Sequence, residues 1–213
     1  MALKHIGLIP DGTRRWARKN EIDYFDAYLT SFTKVINCVE FFRKRKIEII
    51  SIYCLSKQNL SRSKIDLEAV IKAETNFFSD SLYNYCEMHS CKVNIIGDSN
   101  ILPNNLRDAS QSINKRTVKN KGLIINCLLG YDPFDEINSI PSKLISLNDL
   151  WVPENVDLII RTAGGPTMLS NFLPLQSGYA QIYMIDKYFN DCNEKDFIEI
   201  VDKFNKVIML LGK

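Results

Sequence analysis

Residues 9–16 read Ile-Pro-Asp-Gly-Thr-Arg-Arg-Trp and follow a strand candidate at 4–9. A strand that runs into Asp-Gly and then into a helix start offers free backbone N–H groups, and glycine lets the backbone approach a ligand closely. Arg14 and Arg15 add planar donors suited to phosphate oxygens. Asp11 fits beside such an anion site if it bridges Mg²⁺ to a diphosphate. The alternative is an Asp-Gly turn followed by a surface arginine pair.

Short β-branched runs alternate with longer amphipathic segments along the chain. Strands are predicted at residues 4–9, 47–54, 92–97, 122–129, 156–161 and 181–186. Helices are predicted at residues 23–45, 64–88 and about 194–211, and Glu74 interrupts the apolar face of the second. This alternation predicts a single α/β domain over residues 1–213, with a mainly parallel sheet of about six strands and helices on both faces. Functional groups are expected on the loops beyond the carboxyl ends of the strands.

The composition is that of one ordinary globular domain, with 213 residues, 46% of them hydrophobic and 24% charged. Lys and Arg total 27 against 25 Asp and Glu, and the net charge of +2 gives no whole-molecule reason to expect nucleic-acid binding. No apolar stretch approaches the roughly 20 residues that span a bilayer, and no signal peptide is recognisable. We therefore expect a cytoplasmic protein with no stable membrane insertion.

Six cysteines lie scattered through apolar segments, which suits reduced core thiols better than a disulfide framework. Only Cys86, His89 and Cys91 cluster, and they lack a fourth donor at a usual zinc spacing. We do not expect a metal there.

Polar donors also follow two later strands. Residues 56–63 read Ser-Lys-Gln-Asn-Leu-Ser-Arg-Ser, and Arg161 ends the fifth predicted strand shortly before Ser170. Because the carboxyl ends of parallel strands meet at one edge, these groups and Asp11 are expected to converge on an anionic ligand. Each arginine alone could equally be a loop residue. Neither common nucleotide-binding glycine motif is present in the sequence.

These residues resemble a known family, the cis-prenyltransferases typified by undecaprenyl diphosphate synthase. The family signature H-x-x-x-I-x-D-G-N-x-R-W-A matches residues 5–17 except at Thr13. The signature I-R-T-x-G…S-N-F-L…Y-A-E-x-Y matches residues 160–183, and S-x-E-N-W-x-R-P matches 56–63 loosely. The matches run in family order and are spread over nearly the whole chain.

The resemblance implies a role for each matching residue. Asp11 would hold Mg²⁺ on an allylic isoprenoid diphosphate, with Asn59 and Arg62 as further catalytic residues on the same side. Arg161 and Ser170 would bind the diphosphate of a second substrate. The implied substrate-binding residues are Gly12, Thr13, Arg14, Arg15, Trp16, Tyr28, Ser56, Phe77, Arg161 and Ser170. The apolar stripe of residues 67–85 resembles the helix that lines the family's product tunnel, and the family leads us to expect a homodimer.

The departures from the family pattern concentrate on the second substrate. The family's second arginine of the C-terminal motif falls at Thr167 or Met168, and its metal-associated glutamate is Gln181. The D-G-x-R-R-W form and Tyr28 in place of histidine are similar to the irregular branch, cyclolavandulyl diphosphate synthase and its relatives. That branch joins two short allylic diphosphates head-to-middle, which is our leading hypothesis, although Gln181 weakens it. The alternatives are regular short-chain elongation with isopentenyl diphosphate, a catalytically silent partner subunit and a prenyl-diphosphate enzyme that uses a non-isoprenoid acceptor.

Overall fold

The computed structural model describes residues 2–141, 146–164 and 168–207. The described residues contain one sheet, whose strands are β1 His5–Ile9, β2 Ile49–Ser56, β3 Lys92–Ile96, β4 Ile124–Tyr131, β5 Leu158–Thr162 and β6 Gln181–Ile185. All neighbouring strands pair in parallel, in the order β3-β4-β2-β1-β5-β6. The predicted fold class and all six predicted strands are confirmed, with bounds shifted by up to two residues.

Helices pack around the sheet. They are α1 Thr13–Lys19, α2 Tyr24–Lys44, α3 Lys64–Asn76, α4 Leu82–His89, α5 Asn104–Thr117, α6 Pro133–Asn138 and α7 Glu194–Lys206. The helix predicted at 64–88 is confirmed as one helical segment, in which a π-helical turn at Phe77–Ser81 joins α3 to α4. Val207 is no longer helical, and the rest of the segment predicted to extend to 211 lies outside the described residues. No described helix combines the length and the apolarity that crossing a bilayer requires.

Apolar side chains cover both faces of the sheet. On β1, Ile6 and Leu8 belong to the larger cluster, which α2, α3, α5 and α7 complete, whereas Ile9 belongs to a smaller cluster on the opposite face. This alternation is what the period of two in a strand requires. All six cysteines lie within the described residues as unpaired thiols, and five of them are buried.

A chain of polar side chains crosses the core near the amino ends of the strands. His5 Nδ1 lies 3.0 Å from the Asn155 carbonyl, to which it donates, so Nε2 accepts from the Ser51 hydroxyl at 2.8 Å. Asn126 Nδ2 donates to Ser51 Oγ, and Asn94 Nδ2 donates to Asn126 Oδ1. Burial lowers the pKa of His5 to about 4, against the opposing effect of the hydrogen bond to Asn155. The imidazole is therefore neutral and fully bonded at pH 7.

The sheet has its crevice between β1 and β5. The chain leaves β1 through α1 and α2 toward β2, whereas β5 leads the opposite way, toward β6. In parallel α/β sheets, ligands bind at such a reversal of strand order, beyond the carboxyl ends. Ile9 is the register partner of Arg161, so residues that follow β1 come directly beside the end of β5.

Candidate active site

Asp11 stands at this crevice with its backbone fixed by β5. The Thr162 hydroxyl accepts from the Asp11 N–H at 2.9 Å and donates to the Asp11 carbonyl at 2.8 Å. The Gly12 N–H donates to carboxylate Oδ1 at 2.6 Å. Gly12 has a φ of 103°, and a Cβ there would lie 2.7 Å from the Cβ of Ala163, so only glycine fits this turn.

Arg161 holds the other carboxylate oxygen. Its Nη2 donates to Asp11 Oδ2 at 2.9 Å, and its Nη1 donates to Ser170 Oγ at 2.8 Å and to the Met168 carbonyl at 2.6 Å. The Arg161 side chain is only 10% exposed, while that of Asp11 is 39% exposed. Arg161 therefore orients the carboxylate and brings a largely desolvated positive charge to the crevice, where charge interactions are strong.

Arg15 approaches Asp11 from the opposite side. Its Nη2 lies 3.4 Å from Asp11 Oδ1, and its Nη1 donates to the Ala163 carbonyl at 3.3 Å. One carboxylate thus sits between two guanidinium groups, which leaves the immediate site positively charged. Such a site favours an anion with several oxygens, because guanidinium donors match phosphate geometry.

A cavity of about 360 Å³ opens on one side of Asp11, and we call it the first chamber. Its solvent-facing part carries cationic groups: Arg14, Arg15, Arg18 and Arg62. Its interior is apolar and is lined by Phe32, Val35, Ile52, Val70 and Phe77. All of these interior side chains except Phe32 are buried. A cationic mouth over an apolar interior fits a ligand with an anionic head group and a hydrocarbon tail.

A second cavity, of about 400 Å³, lies on the other side of Asp11 and forms the second chamber. Its own lining is mainly polar and comprises Ile9, Ser56, Gln58, Asn59, Arg161, Ser170 and Asn171. The two chambers share Pro10, Asp11, Tyr53, Cys54 and Arg62. Two ligands can therefore lie side by side with one carboxylate and one arginine between them.

Arg62 is a partly buried cation in the shared wall. Its Nη1 donates to the Tyr28 hydroxyl at 3.2 Å. Burial lowers the pKa of Arg62 and raises the pKa of Tyr28, so the wall supplies a positive charge next to a neutral phenol. Arg14 is held in turn by Asp66, at 3.1 Å. These contacts position the guanidinium groups before any ligand binds.

Asp11 suits a Mg²⁺ ion that a diphosphate helps to coordinate. In the part of the chain that the structure describes, no three acidic, histidine or cysteine side chains converge on one point. Mg²⁺ in proteins often takes one or two carboxylates together with phosphate oxygens and water. A carboxylate oxygen accepts about two bonds, and among the described contacts Oδ2 takes only the one from Arg161. Oδ2 can therefore accept one further bond, and the residues at the site are compatible with a bound Mg²⁺ ion.

Comparison with known proteins identifies the family. A family model described as putative undecaprenyl diphosphate synthase matches residues 9–209. The chain belongs to this family, the cis-prenyltransferases. A Pyrococcus horikoshii tritrans,polycis-undecaprenyl-diphosphate synthase (geranylgeranyl-diphosphate specific) is 30% identical over 95% of this chain and 84% of its own. A Rickettsia bellii isoprenyl transferase is 29% identical over 99% of this chain and 98% of its own.

Two solved structures share the cis-prenyltransferase fold. Lavandulyl diphosphate synthase from Lavandula x intermedia, in complex with dimethylallyl diphosphate, matches with a TM-score of 0.90 and 22% identity, covering 99% of this chain and 98% of that one. A probable undecaprenyl diphosphate synthase from Campylobacter jejuni matches with a TM-score of 0.82 and 24% identity over the whole of both chains. The family resemblance inferred from the motifs is confirmed.

Most predicted site residues of this cis-prenyltransferase line the chambers. The first chamber is lined by Gly12, Thr13, Arg14, Arg15, Tyr28 and Phe77, and the second by Ser56, Arg161 and Ser170. Asp11 and Arg62 lie where the chambers meet. Asn59 lines the second chamber together with Arg62, and its Nδ2 donates to Ser56 Oγ.

Two motif residues lie away from the chambers. Trp16 lines neither chamber, because it lies on the opposite side of α1 from Arg14 and Arg18 and its Nε1 donates to Asp191 Oδ1 at 2.7 Å. Gln181 is the first residue of β6 and pairs with Leu158, at the end of the sheet opposite to Asp11. Within one chain, Gln181 does not face the Asp11 carboxylate.

Several lining residues were not predicted. Arg18 follows Arg14 by four residues on one helix, a spacing that could have placed it in the same wall. Ser31 is a buried polar residue among the apolar positions of α2, which was a weak signal. Tyr53 and Cys54, in the shared wall, continue an apolar strand and carry no signal that separates them from core residues.

Proposed function

We propose that this cis-prenyltransferase joins two short isoprenoid diphosphates with release of diphosphate. The proposed reaction is an irregular, head-to-middle coupling of two allylic C5 units such as dimethylallyl diphosphate. The observation that carries the proposal is the pair of chambers that share Asp11 and Arg62. One chamber combines a cationic mouth with an apolar interior and suits the donor, and the mainly polar chamber suits an acceptor with a short tail.

In this proposal the donor lies in the first chamber. Arg14, Arg15 and Arg62 bind its diphosphate and stabilise the negative charge that grows on it as the allylic C–O bond breaks. The apolar interior holds the hydrocarbon tail and keeps water from the electron-poor carbon. Asp11 would hold a Mg²⁺ ion, which would supply further charge neutralisation to the leaving diphosphate. The alkene of the acceptor then attacks the donor C1, and a proton is lost.

The second chamber supports an acceptor other than the usual one. Its cations among the described residues are Arg161 and the shared Arg62, while the family's second arginine falls by resemblance at Thr167 or Met168. An arginine–phosphate bond contributes about 1.5–3 kcal/mol, or roughly ten- to a hundredfold in affinity. An enzyme that uses a different acceptor would lose an arginine from the acceptor subsite and keep the arginines of the donor site. The D-G-x-R-R-W motif and Tyr28 support the irregular branch.

Product analysis tests this proposal. Purified protein with Mg²⁺ is incubated with dimethylallyl diphosphate alone and with isopentenyl diphosphate added, and products are identified by mass spectrometry. We expect a branched C10 diphosphate from dimethylallyl diphosphate alone. Product that forms only with isopentenyl diphosphate would instead establish regular elongation, and no product under either condition would favour a silent subunit.

We also propose Mg²⁺ as the cofactor, a homodimer as the working form and the cytoplasm as the location. The open acceptor position on Asp11 Oδ2 supports the ion, while the dimer and the location follow from the family resemblance and the composition. Removal of the ion with EDTA is expected to stop turnover, and restored Mg²⁺ to recover it. Light scattering of the purified protein tests the dimer.

A further inference from the structure

Glu74 is a buried acid with no structural partner. It lies on α3, its residue exposure is 0%, and neither carboxyl oxygen has a hydrogen-bond partner among the described residues. Burial raises the pKa of Glu74 to about 8, against the opposing charge of Arg62, so the group is largely neutral at pH 7. A polar group left unpaired in the interior costs free energy, and in natural proteins it calls for a reason.

The position of Glu74 supplies that reason. It follows Val70 by four residues and precedes Phe77 by three, so all three share one face of the helical segment. Val70 and Phe77 line the apolar interior of the first chamber, and Phe77 stacks on Phe32 of α2 with 4.6 Å between ring centroids. Glu74 itself is hidden from the cavity. Glu74 therefore lies on the same helical face as two residues of the apolar wall without lining the cavity itself.

The segment around Glu74 is also irregular. The helix changes to a π-helical turn at Phe77–Ser81, directly after the last turn of α3. Single π-helical turns inside helices often occur at functional sites. Here the turn begins at Phe77, a residue of the chamber wall three positions after Glu74.

We propose that Glu74 is a specificity-determining residue that restricts the first chamber to short prenyl tails. A tail that ends before the Phe32–Phe77 pair meets only apolar side chains. A longer tail has to displace Phe77 and pack its methylene groups against an unpaired carboxyl group, which offers no favourable contact to hydrocarbon. The inference rests on the proposed function, because it takes a prenyl diphosphate as the occupant of the chamber.

Binding of unreactive analogues tests the proposal. The thiolodiphosphates of dimethylallyl, geranyl and farnesyl alcohol are titrated into the full-length protein by calorimetry, with inorganic diphosphate as a head-group reference. We expect the wild type to bind the C5 analogue roughly tenfold or more tighter than the C15 analogue. Glu74→Leu is expected to reverse this preference by replacing the unpaired carboxyl group with an apolar side chain, while Glu74→Gln keeps the polar group and the wild-type preference.

A matched control and a stability measurement complete the design. Glu68 lies on the same helix with its side chain 67% exposed, so Glu68→Leu should leave all three affinities unchanged. Glu74→Leu should melt no lower than the wild type, and Glu74→Met serves as a second variant if it does. Equal wild-type binding of all three analogues would overturn the role of Glu74 alone. A Glu74→Leu variant that keeps the C5 preference would do the same, whereas no binding of any analogue would overturn the proposed function as well.

Discussion

Replacing Arg161 by methionine should weaken one of two diphosphate sites and spare the other. In the described part of the chain, Arg161 is the cation that lines the second chamber alone, and its hydrogen bonds there reach Asp11 Oδ2, Ser170 Oγ and the Met168 carbonyl. The variant removes the charge that would face an acceptor diphosphate. A hydrogen bond to a charged group contributes about 1.5–3 kcal/mol, which corresponds to a loss of roughly ten- to a hundredfold in affinity.

Calorimetry with dimethylallyl thiolodiphosphate measures this effect. The wild type is expected to show two binding events per chain, because the two chambers each take one diphosphate. Arg161→Met should weaken one event and leave the other within a factor of about three. Arg15 lines only the first chamber, so Arg15→Met is the matched control and should weaken the opposite event. Arg161→Lys keeps the charge without the planar fork and should fall between the wild type and Arg161→Met.

The thermal midpoint separates binding from folding. Asp11 is 39% exposed, so water can replace part of what its carboxylate loses, and we expect Arg161→Met to cost about 1–3 kcal/mol of stability. At roughly 2–4 °C per kcal/mol for a chain of this size, the melting temperature should fall by a few degrees. The two-chamber reasoning is refuted if Arg161→Met keeps both affinities, or weakens both events equally while melting like the wild type.

Three further changes test individual features. Asp11→Asn should lower kcat by roughly 10²–10³-fold in a diphosphate-release assay with little change in melting temperature, because the residue lies on a loop and not in the core; a wild-type rate would contradict its role. Gly12→Ala should lower both melting temperature and kcat, because φ is 103° and the new Cβ would lie 2.7 Å from Ala163, whereas Gly178→Ala, where nothing lies within 4 Å, should change neither. The pKa of His5 falls from 6.5 to about 4 on folding, so the unfolded chain binds the proton more tightly and stability should decrease by roughly 3 kcal/mol as the pH drops from above 6.5 to 4. Urea unfolding at several pH values in this range should show the loss of stability, and the loss should be smaller in His5→Asn. The same dependence of unfolding free energy on pH in His5→Asn and wild type would contradict a buried, neutral His5 imidazole.

The sheet could be predicted because each strand is a short β-branched run between polar or turn residues. The π-helical turn that joins α3 to α4 could not be predicted, because the apolar period continues through Phe77 and Phe78. Helix α5 was missed because its buried row mixes Leu106 and Ile113 with small and polar side chains in a largely hydrophilic segment. Its contacts with β3 and α3 favour a helix that the local pattern hides.

The site was predictable where the fold brings strand ends together. Asp11 and Arg161 follow neighbouring parallel strands, so their contact follows from topology once the sheet is assigned. The wall that carries Asn59 was not predictable, since the 3₁₀-helical turn at Lys57–Ser61 determines where its side chain lies. Trp16 matched a motif but faces away, because matching a motif does not fix the direction of a side chain on a helix. Sequence marked Glu74 as an interruption in an apolar face, and only the structure shows that it is unpaired.

The most direct test of the two-chamber account is a crystal structure of the protein soaked with Mg²⁺ and dimethylallyl thiolodiphosphate. The account predicts one diphosphate beside Arg14, Arg15 and Arg62 with its tail in the apolar interior, a second beside Arg161, and the ion bound to Asp11. Diphosphate bound elsewhere, with both chambers empty and Asp11 in contact only with its arginine neighbours, would contradict it.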